Sequence, residues 1–163
     1  MRVRRYGLAM RKPPKEKPVV GWRETVLLGD LSNIPLNAKI DTGARTSALH
    51  AFDLDIVDEF GVATADFILQ PIQRSGAGAV RVRLPVHGMR KVKSSNGRTE
   101  IRPTVITSTT LGDLTWRIEI TLTSRDQMGF RMLLGRAAVK RRFIIDPGRS
   151  YLLSNKPSKL GSP

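Results

Sequence analysis

Cysteine is absent from the 163-residue sequence, and histidine occurs only twice, as His50 and His87. The lack of cysteine excludes disulfide bonds, thiolate nucleophiles and every zinc site that is built on cysteine. The two histidines lie far apart in the sequence, with no regular spacing of other ligands around them. We therefore predict a protein that holds no metal ion.

Long apolar segments are also absent. No run of eighteen apolar residues occurs, and the basic residues near the start, Arg2, Arg4 and Arg5, are not followed by an apolar stretch. A membrane-spanning helix and a secretory signal both need such a stretch, so neither is predicted. We expect a cytoplasmic protein with no membrane partner.

Acidic residues are scarce, because 14 Asp+Glu stand against 28 Lys+Arg and leave a formal net charge of +14. The excess is uneven. Residues 24–66 contain two basic and eight acidic residues, whereas residues 67–110 contain eight basic residues and one acidic. Clustered basic side chains attract polyanions without requiring any particular fold.

The length and a hydrophobic content of 40% are typical of one globular domain. Residues 1–18 are basic, contain three prolines and show no apolar periodicity, so we predict a disordered arm. This arm is either a solvated tail or a contact with nucleic acid or an acidic surface. Residues 154–163 are polar and predict a flexible tail, which leaves residues 19–153 as the folded domain.

Short strands dominate the predicted secondary structure. Apolar and polar residues alternate, or apolar residues cluster, in runs that end at Gly, Pro or Asp. The runs are 26–30, 38–40, 80–86, 104–106, 114–122 and 142–146. A helix longer than one turn is predicted only at 136–141. Many short strands separated by turn residues predict an all-β fold, either a closed barrel or a sandwich.

The segment 90–102 predicts a polar hairpin around Asn96-Gly97, a pair that favours a two-residue turn with positive φ at both positions. Because such a hairpin has no apolar face to bury, we expect it either to cover an active site as a mobile flap or to be a plain surface hairpin. The residues predicted for the flap are Lys93, Ser94, Ser95, Asn96, Gly97 and Arg98.

Asp41-Thr42-Gly43 follows a short apolar strand, which places a carboxylate in a tight turn where backbone amides can hold it. Alone, this triplet is a weak signal, because an Asp at this position can simply close a turn. A second element, Gly135-Arg136, follows an apolar run about ninety residues later and precedes the predicted helix.

The order of these elements resembles the single lobe of a retropepsin-type aspartic protease. The segments 21–24, 39–51, 121–136 and 146–151 are similar to a bacterial family of retropepsin-like endopeptidases, often labelled "ATP-dependent zinc protease". The similarity covers about 20–153. It implies a closed β-barrel with a flap hairpin and one short helix, and members of the family resemble partners of RimK-type glutamate ligases.

The resemblance implies peptide hydrolysis by two aspartates that share one proton. Since the sequence has one Asp-Thr-Gly, we expect two copies of Asp41 to meet in a homodimer. By analogy, Thr42 bonds across the dyad, Gly43 allows close backbone approach and Ala44 lines the substrate side. Arg45, Thr46 and Ser47 are expected near the site without assigned roles, and Gly135 is expected to support the loop. His50 and Arg136 are expected to support it by hydrogen bonds, with a structural histidine as the alternative for His50.

The zinc and ATP in the family label have no counterpart in the sequence motifs. No His-Glu-x-x-His motif is present, and Ser-Gly-Ala-Gly at 75–78 lacks the lysine and the helix of a phosphate-binding loop. We expect a metal-independent and nucleotide-independent hydrolase without a cofactor.

The basic flap favours an anionic substrate. The segment 67–110 includes Arg90, Lys91, Lys93, Arg98 and Arg102. An acidic peptide or a glutamate-rich protein tail is therefore the expected substrate, with ribosomal association as a further expectation. The alternative is a non-enzymatic basic β-barrel that binds RNA or the ribosome, although its few aromatic residues are not clustered in the sequence.

Overall fold

A computed structural model describes residues 15–94, 96–124 and 129–156. Most of the predicted basic arm and most of the predicted tail lie outside these ranges. The described part contains short strands and one short helix. They are β1 (Val19–Gly21), β2 (Arg23–Leu28), β3 (Leu36–Asp41), β4 (Ser47–His50), β5 (Phe52–Glu59), β6 (Val62–Leu69), β7 (Val80–Pro85), β8 (Gly88–Lys93), β9 (Thr99–Leu111), β10 (Leu114–Thr123), β11 (Met132–Gly135), α1 (Arg136–Val139) and β12 (Ile144–Asp146).

The strands form because alternate side chains are apolar and point to a common core. Along β2, every second residue is fully buried, including Val26 and Leu28, and β3 alternates in the same way. The core also contains Leu49, Ile120 and Leu134 from other strands. Burial of each such side chain contributes roughly 1.5–3 kcal/mol, which makes this shared interior the main stabilising feature of the fold.

Six strands are hydrogen-bonded in a ring around the core. Their order is β10-β4-β11-β3-β2-β9, and β9 pairs again with β10 to complete the ring. Strand β8 extends the sheet beyond β9. The prediction of a mainly β fold with one short helix is confirmed, although α1 is shorter than the predicted segment 136–141.

A separate three-stranded sheet, β5-β6-β7, contains two strands that the sequence analysis did not identify. Its β5–β6 turn is formed by Phe60 and Gly61, both with positive φ, as a two-residue turn requires. The Asp66 carboxylate is buried in β6 and is hydrogen-bonded by Arg81 and Arg83 of β7. This sheet therefore combines apolar packing with an internal ion-pair network.

The two ends of the folded region are joined. Strands β1 and β12 pair in parallel, and the fully buried Glu24 carboxylate accepts hydrogen bonds from the backbone amides of Gly21, Leu152 and Ser154 at 2.7, 2.8 and 3.1 Å. Buried carboxylates require such partners to offset their loss of hydration. Glu24 thus fixes the segment after β12 against β2 and the end of β1.

A membrane span is not found among the helices of the described residues, none of which is long and apolar enough.

Candidate active site

Asp41 is the last residue of β3, which lies beside the parallel strand β11. In this register Leu134 lies opposite Ile40 and Gly135 lies opposite Asp41. Because parallel strands end at the same edge of a sheet, the Asp-Thr-Gly turn and the Gly135-Arg136 turn leave the barrel side by side. The pairing places together the two motifs that are about ninety residues apart in the sequence.

The Asp41 carboxylate is held by its own loop. Its Oδ1 atom accepts hydrogen bonds from the backbone amides of Gly43 at 3.0 Å and Ala44 at 3.2 Å. No described residue donates to Oδ2, and the side chain is partly exposed. One carboxylate oxygen is therefore fixed, while the other is available to a water molecule or a second carboxyl group.

The start of α1 supports this loop from below. The backbone amide of Arg136 donates to the Ala44 carbonyl at 2.8 Å, and that of Ala137 donates to the Arg45 carbonyl at 2.9 Å. The Arg136 guanidinium also donates to the carbonyl of Thr42 at 2.8 Å. Three hydrogen bonds from one helical turn thus define the path of the loop.

Ser47 and Gly135 make a buried contact behind the loop. The Gly135 amide donates to the Ser47 hydroxyl oxygen at 3.0 Å, and the Thr121 hydroxyl donates to the Ser47 carbonyl at 3.0 Å. The backbone of Thr46 lies directly against Gly135, where no side chain would fit. The sequence predicted that Ser47 and Gly135 lie near the loop, but it did not show that the two residues contact each other. This contact gives both of them a structural role behind the loop.

His50 lies at the other end of β4, away from the cleft described below. It is buried, its ring stacks on Phe52 with centroids 4.0 Å apart, and its Nδ1 is 3.3 Å from a guanidinium nitrogen of Arg131. The guanidinium of Arg131 also lies 4.7 Å from the Phe52 ring centroid. These contacts are those of a core histidine and leave it without access to Asp41.

A cleft of about 920 Å³ opens beside Asp41. Its lining includes Ala44 and Arg45 of the loop and residues of the flap strand β8. Residues 116–119 of β10 and Arg142, which follows α1, also line it. The candidate catalytic carboxylate and the predicted flap strand therefore share one cavity.

The lining of the cleft is strongly basic. Two acidic residues, Asp41 and Glu119, face seven basic residues. The basic residues are Arg45, Arg90, Lys91, Lys93, Arg102, Arg117 and Arg142. Sequence analysis identified those on the flap strands but missed Arg117 and Arg142, which the fold brings to the cleft from β10 and from the turn after α1.

Two of these basic residues are neutralised. Arg90 makes a bidentate ion pair with Glu119 at 2.8 and 2.9 Å, and this hydrogen bonding holds the pKa of Glu119 below its ordinary value. Arg102 pairs with Glu100 at 3.2 Å. The other five make no ion pair within the described residues, so the cleft keeps a positive potential that attracts anions.

The flap hairpin is formed by β8 and the start of β9, but its turn differs from the prediction. The Ser94 amide donates to the Arg98 carbonyl, and the Gly97 amide donates to the Ser94 carbonyl. Only Gly97 of the Asn96-Gly97 pair has positive φ. The predicted two-residue turn is therefore wrong, because the loop is one residue longer and takes its left-handed residue from glycine alone.

The flap residues differ in their position relative to the cleft. Lys93 and Ser94 line it, whereas Asn96, Gly97 and Arg98 do not, and Ser95 lies outside the described residues.

A zinc ion does not fit the side chains that the structure describes. Across residues 15–94, 96–124 and 129–156, no group of three or more His, Cys, Asp or Glu side chains is arranged to hold a metal ion. A zinc site requires three or four such ligands in tetrahedral geometry.

Comparison with known proteins places the chain in a family. The family model described as "Retropepsin-like aspartic endopeptidase RimB" matches residues 19–156. The chain is 38% identical over 140 residues to a probable alpha-L-glutamate ligase from Shewanella pealeana, covering 86% of this chain and 31% of the relative. Another protein described as a probable alpha-L-glutamate ligase, from Parasynechococcus marenigrum, is 37% identical over 139 residues, which cover 85% of this chain and 30% of that relative.

The chain thus spans about a third of the length of these curated relatives. A crystal structure of a protein of unknown function from Legionella pneumophila has a TM-score of 0.69 and 28% sequence identity, covering 85% of this chain and 100% of that one. With an ordered Asp-Thr-Gly loop at the end of β3 and a family match over most of its length, the chain belongs to the RimB-like family of retropepsin-like aspartic endopeptidases.

Proposed function

We propose that this protein is an aspartic peptidase in which Asp41 from each of two copies forms the catalytic dyad. The observation that carries the proposal is the shared cleft, which is lined both by Asp41, whose carboxylate is held by its loop amides, and by the flap strand β8. Peptide hydrolysis of the aspartic type requires a carboxylate beside a space large enough for an extended peptide, and this cleft supplies both.

The chemistry follows from two carboxyl groups that share one proton. The ionised Asp41 removes a proton from a water molecule, and the water oxygen attacks the peptide carbonyl carbon. The protonated Asp41 of the second copy donates its proton to the carbonyl oxygen, which gives a neutral tetrahedral diol. As the diol collapses and the C–N bond breaks, the nitrogen takes a proton from the Asp41 that is now protonated, and a diol hydroxyl gives its proton to the other Asp41. A carboxylic acid and an amine leave, and the two carboxyl groups again share one proton.

The homodimer supplies the second carboxyl group. The sequence contains one Asp-Thr-Gly, and two residues of its loop, Thr42 and Gly43, are exposed and so accessible to another copy. An isologous twofold contact through this loop brings identical residues together, as a symmetric dyad requires.

The substrate is an acidic peptide, and a glutamate-rich protein tail is the specific form that we propose. Five basic side chains of the cleft lack an ion-pair partner among the described residues, which favours carboxylate-bearing ligands. The relatives named as probable alpha-L-glutamate ligases contain a region similar to this chain, which supports a link to glutamate-bearing proteins. Cytoplasmic location and ribosomal association belong to the same proposal.

The test compares hydrolysis of fluorogenic glutamate-rich peptides with that of glutamine-rich peptides by wild type, Asp41→Asn and a matched control, Asp113→Asn. Asp113 is an exposed turn residue outside the cleft. We expect Asp41→Asn to abolish cleavage, Asp113→Asn to retain it, and added salt to reduce the preference for glutamate. Full activity of Asp41→Asn would refute the mechanism.

A mixing experiment tests the dimer separately. If each site needs two Asp41 carboxyl groups, excess Asp41→Asn subunits should inhibit wild type in proportion to the heterodimers formed, after subunit exchange. Equal activity per wild-type chain at every mixing ratio would show that one chain suffices.

The second candidate, RNA binding without catalysis, gains some support from an aromatic cluster. The rings of Trp22 and Phe130 meet at 5.9 Å, and the guanidinium of Arg23 lies 4.6 Å from Trp22 and 5.2 Å from Tyr151. Residues scattered in the sequence are thus adjacent in the fold, contrary to the sequence argument against a stacking platform. Short RNA that binds tightly to a wild type unable to cleave any acidic peptide would favour this candidate.

A further inference from the structure

Arg45 is the one basic residue of the cleft that belongs to the Asp-Thr-Gly loop itself. It follows Asp41 by four positions, lines the same cleft, and is exposed. Its side chain makes no hydrogen bond or ion pair with any residue in the described ranges. A guanidinium without an internal partner at this position is available to a ligand.

The backbone of Arg45 is nevertheless fixed. Its carbonyl accepts a hydrogen bond from Ala137 at 2.9 Å, and the carbonyl of the preceding Ala44 accepts one from Arg136 at 2.8 Å. A fixed backbone reduces the conformational entropy that ligand binding must overcome, since only the side chain has to be ordered. Arg45 thus combines an exposed guanidinium that has no hydrogen-bond partner among the described residues with an anchored backbone.

Arg45 lacks an ion pair with the described residues although acidic residues are common in the surrounding sequence. Arg45 and Lys39 are the two basic residues of segment 24–66, which has eight acidic residues. Despite these acidic residues, no described carboxylate pairs with Arg45, whereas Arg90 and Arg102 of the same cleft are paired with Glu119 and Glu100.

The other unpaired basic residues of the cleft are less well placed. Lys91 and Lys93 belong to the flap strand, and an ammonium group is a point charge rather than a planar fork. Arg142 lies with its guanidinium 5.5 Å from the Trp116 ring, so an aromatic face already contacts it. Arg117 is also exposed and makes no ion pair with the described residues, but it belongs to β10 and not to the loop that holds Asp41. Arg45 is thus the unpaired guanidinium that the Asp41 loop itself carries, which favours it for a bidentate contact with a carboxylate close to Asp41.

We infer that Arg45 is a specificity-determining residue, whose guanidinium binds a side-chain carboxylate of the substrate beside the bond that is cleaved. This inference rests on the proposed peptidase function. It predicts discrimination between a glutamate and a glutamine at one substrate position, which general attraction by a basic cleft would not produce so sharply.

The test uses two peptides that differ by one Glu→Gln change next to the cleaved bond. For wild type, we expect kcat/KM to be higher for the glutamate peptide. Arg45→Gln should lower kcat/KM for that peptide by roughly 10- to 100-fold and leave the glutamine peptide within about threefold. Arg45→Lys should restore part of the preference, and Arg45→Glu should reverse it in favour of a lysine peptide.

Lys93→Gln is the matched control, because it removes the same charge from the same cleft but from the flap. It should lower cleavage of both acidic peptides through the weaker overall potential and retain the single-position discrimination. Thermal unfolding of each variant identifies any loss of folding, which is not expected at an exposed side chain.

The failures of the two proposals are distinguishable. If cleavage depends on Asp41 but Arg45→Gln keeps the wild-type ratio of the two peptides, or lowers both equally, the role of Arg45 is refuted and the peptidase remains. If no cleavage depends on Asp41, the peptidase is refuted. In that case, the affinities of the two peptides are measured for Asp41→Asn and for the double variant that also carries Arg45→Gln. If Asp41→Asn binds the glutamate peptide and the glutamine peptide with equal affinity, the role of Arg45 is refuted.

Discussion

Gly135 lies against the backbone of Thr46 so closely that a β-carbon at Gly135 would be 2.5 Å from the Thr46 carbonyl carbon and 2.6 Å from its oxygen. These neighbours are main-chain atoms, which cannot swing aside as the end of a flexible side chain can. The absence of a side chain at Gly135 is therefore the condition under which β11 can end beside the Asp-Thr-Gly loop.

Gly135→Ala should destabilise the fold by about 3 kcal/mol, at the upper end of the cost of overpacking a core. The added methyl group would push residues 46–47 away from β11 and weaken the buried bond from the Gly135 amide to Ser47. Urea denaturation measures the loss. Gly76→Ala is the control, since a β-carbon there meets nothing within 4 Å, and it should change stability little. Equal midpoints for the two variants would contradict the packing argument.

Arg136→Gln should impair catalysis far more than stability. It removes the hydrogen bond from the guanidinium to the Thr42 carbonyl, which helps to fix the loop that holds Asp41. The exposed bond contributes about 1 kcal/mol to stability at most. Misplacement of the carboxylate should lower kcat roughly 10- to 100-fold.

Steady-state kinetics and urea denaturation of the same preparations separate the two effects. Arg141→Gln is the control, because this exposed residue next to α1 has the same charge and makes no contact with the loop. If Arg136→Gln retains wild-type kcat, Arg136 does not position the loop.

Local motifs made part of this molecule predictable. Asp41 in its turn, and Gly135-Arg136 before α1, are each encoded by neighbouring residues, so the sequence was enough to identify the loop and the element that supports it. The reason for the glycine was not visible, because the Thr46 backbone reaches it only through the pairing of β11 with β3 and β4.

The missed features depend on residues that are distant in the sequence. Acidic residues such as Asp53, Asp55 and Asp58 hid the apolar alternation of β5, and part of their charge is neutralised only by arginines from β7. Nothing in the residues next to Arg117 and Arg142 in the sequence indicates that these two arginines line a cleft. They become part of a basic cleft because β10 and the turn after α1 meet beside the loop.

Glu24→Gln should be among the most destabilising single changes in the protein, with a loss of about 3 kcal/mol or more. The carboxylate accepts from the Gly21 and Leu152 amides through Oε1, and from the amide and hydroxyl of Ser154 through Oε2. A side-chain amide presents an NH₂ group to at least one set of these donors, so buried bonds are lost in either orientation.

The readouts are urea denaturation and limited proteolysis after residue 151, where the segment held by Glu24 should become accessible. Glu16→Gln is the control, because Glu16 is exposed and outside every strand. A segment that stays protected in Glu24→Gln would show that its other contacts, such as the hydrogen bonds from the Tyr151 amide to the Arg23 carbonyl and from the Thr25 amide to the Ser154 hydroxyl, hold it without Glu24.

Asp66 should make the stability of the β5-β6-β7 sheet depend on pH in the acidic range. The hydrogen bond from Arg81, followed by that from Arg83, lowers the pKa of Asp66 below its ordinary value of 3.8, although burial acts in the opposite direction. A carboxyl group with a lowered native pKa stabilises the fold above its unfolded pKa. This contribution is lost as the pH falls through the native pKa.

The stability difference between wild type and Asp66→Asn should therefore be constant from about pH 5 to pH 7 and should shrink as the pH falls below about 4. Urea midpoints across this range measure it. Asp53→Asn is the matched control, since Asp53 also pairs with Arg81 but has a side chain that is 70% exposed. Solvent screens that outer pair, so its removal should have a smaller effect at every pH. A difference for Asp66→Asn that stays constant down to pH 2 would mean that the variant loses packing rather than an ionised partner for the two arginines.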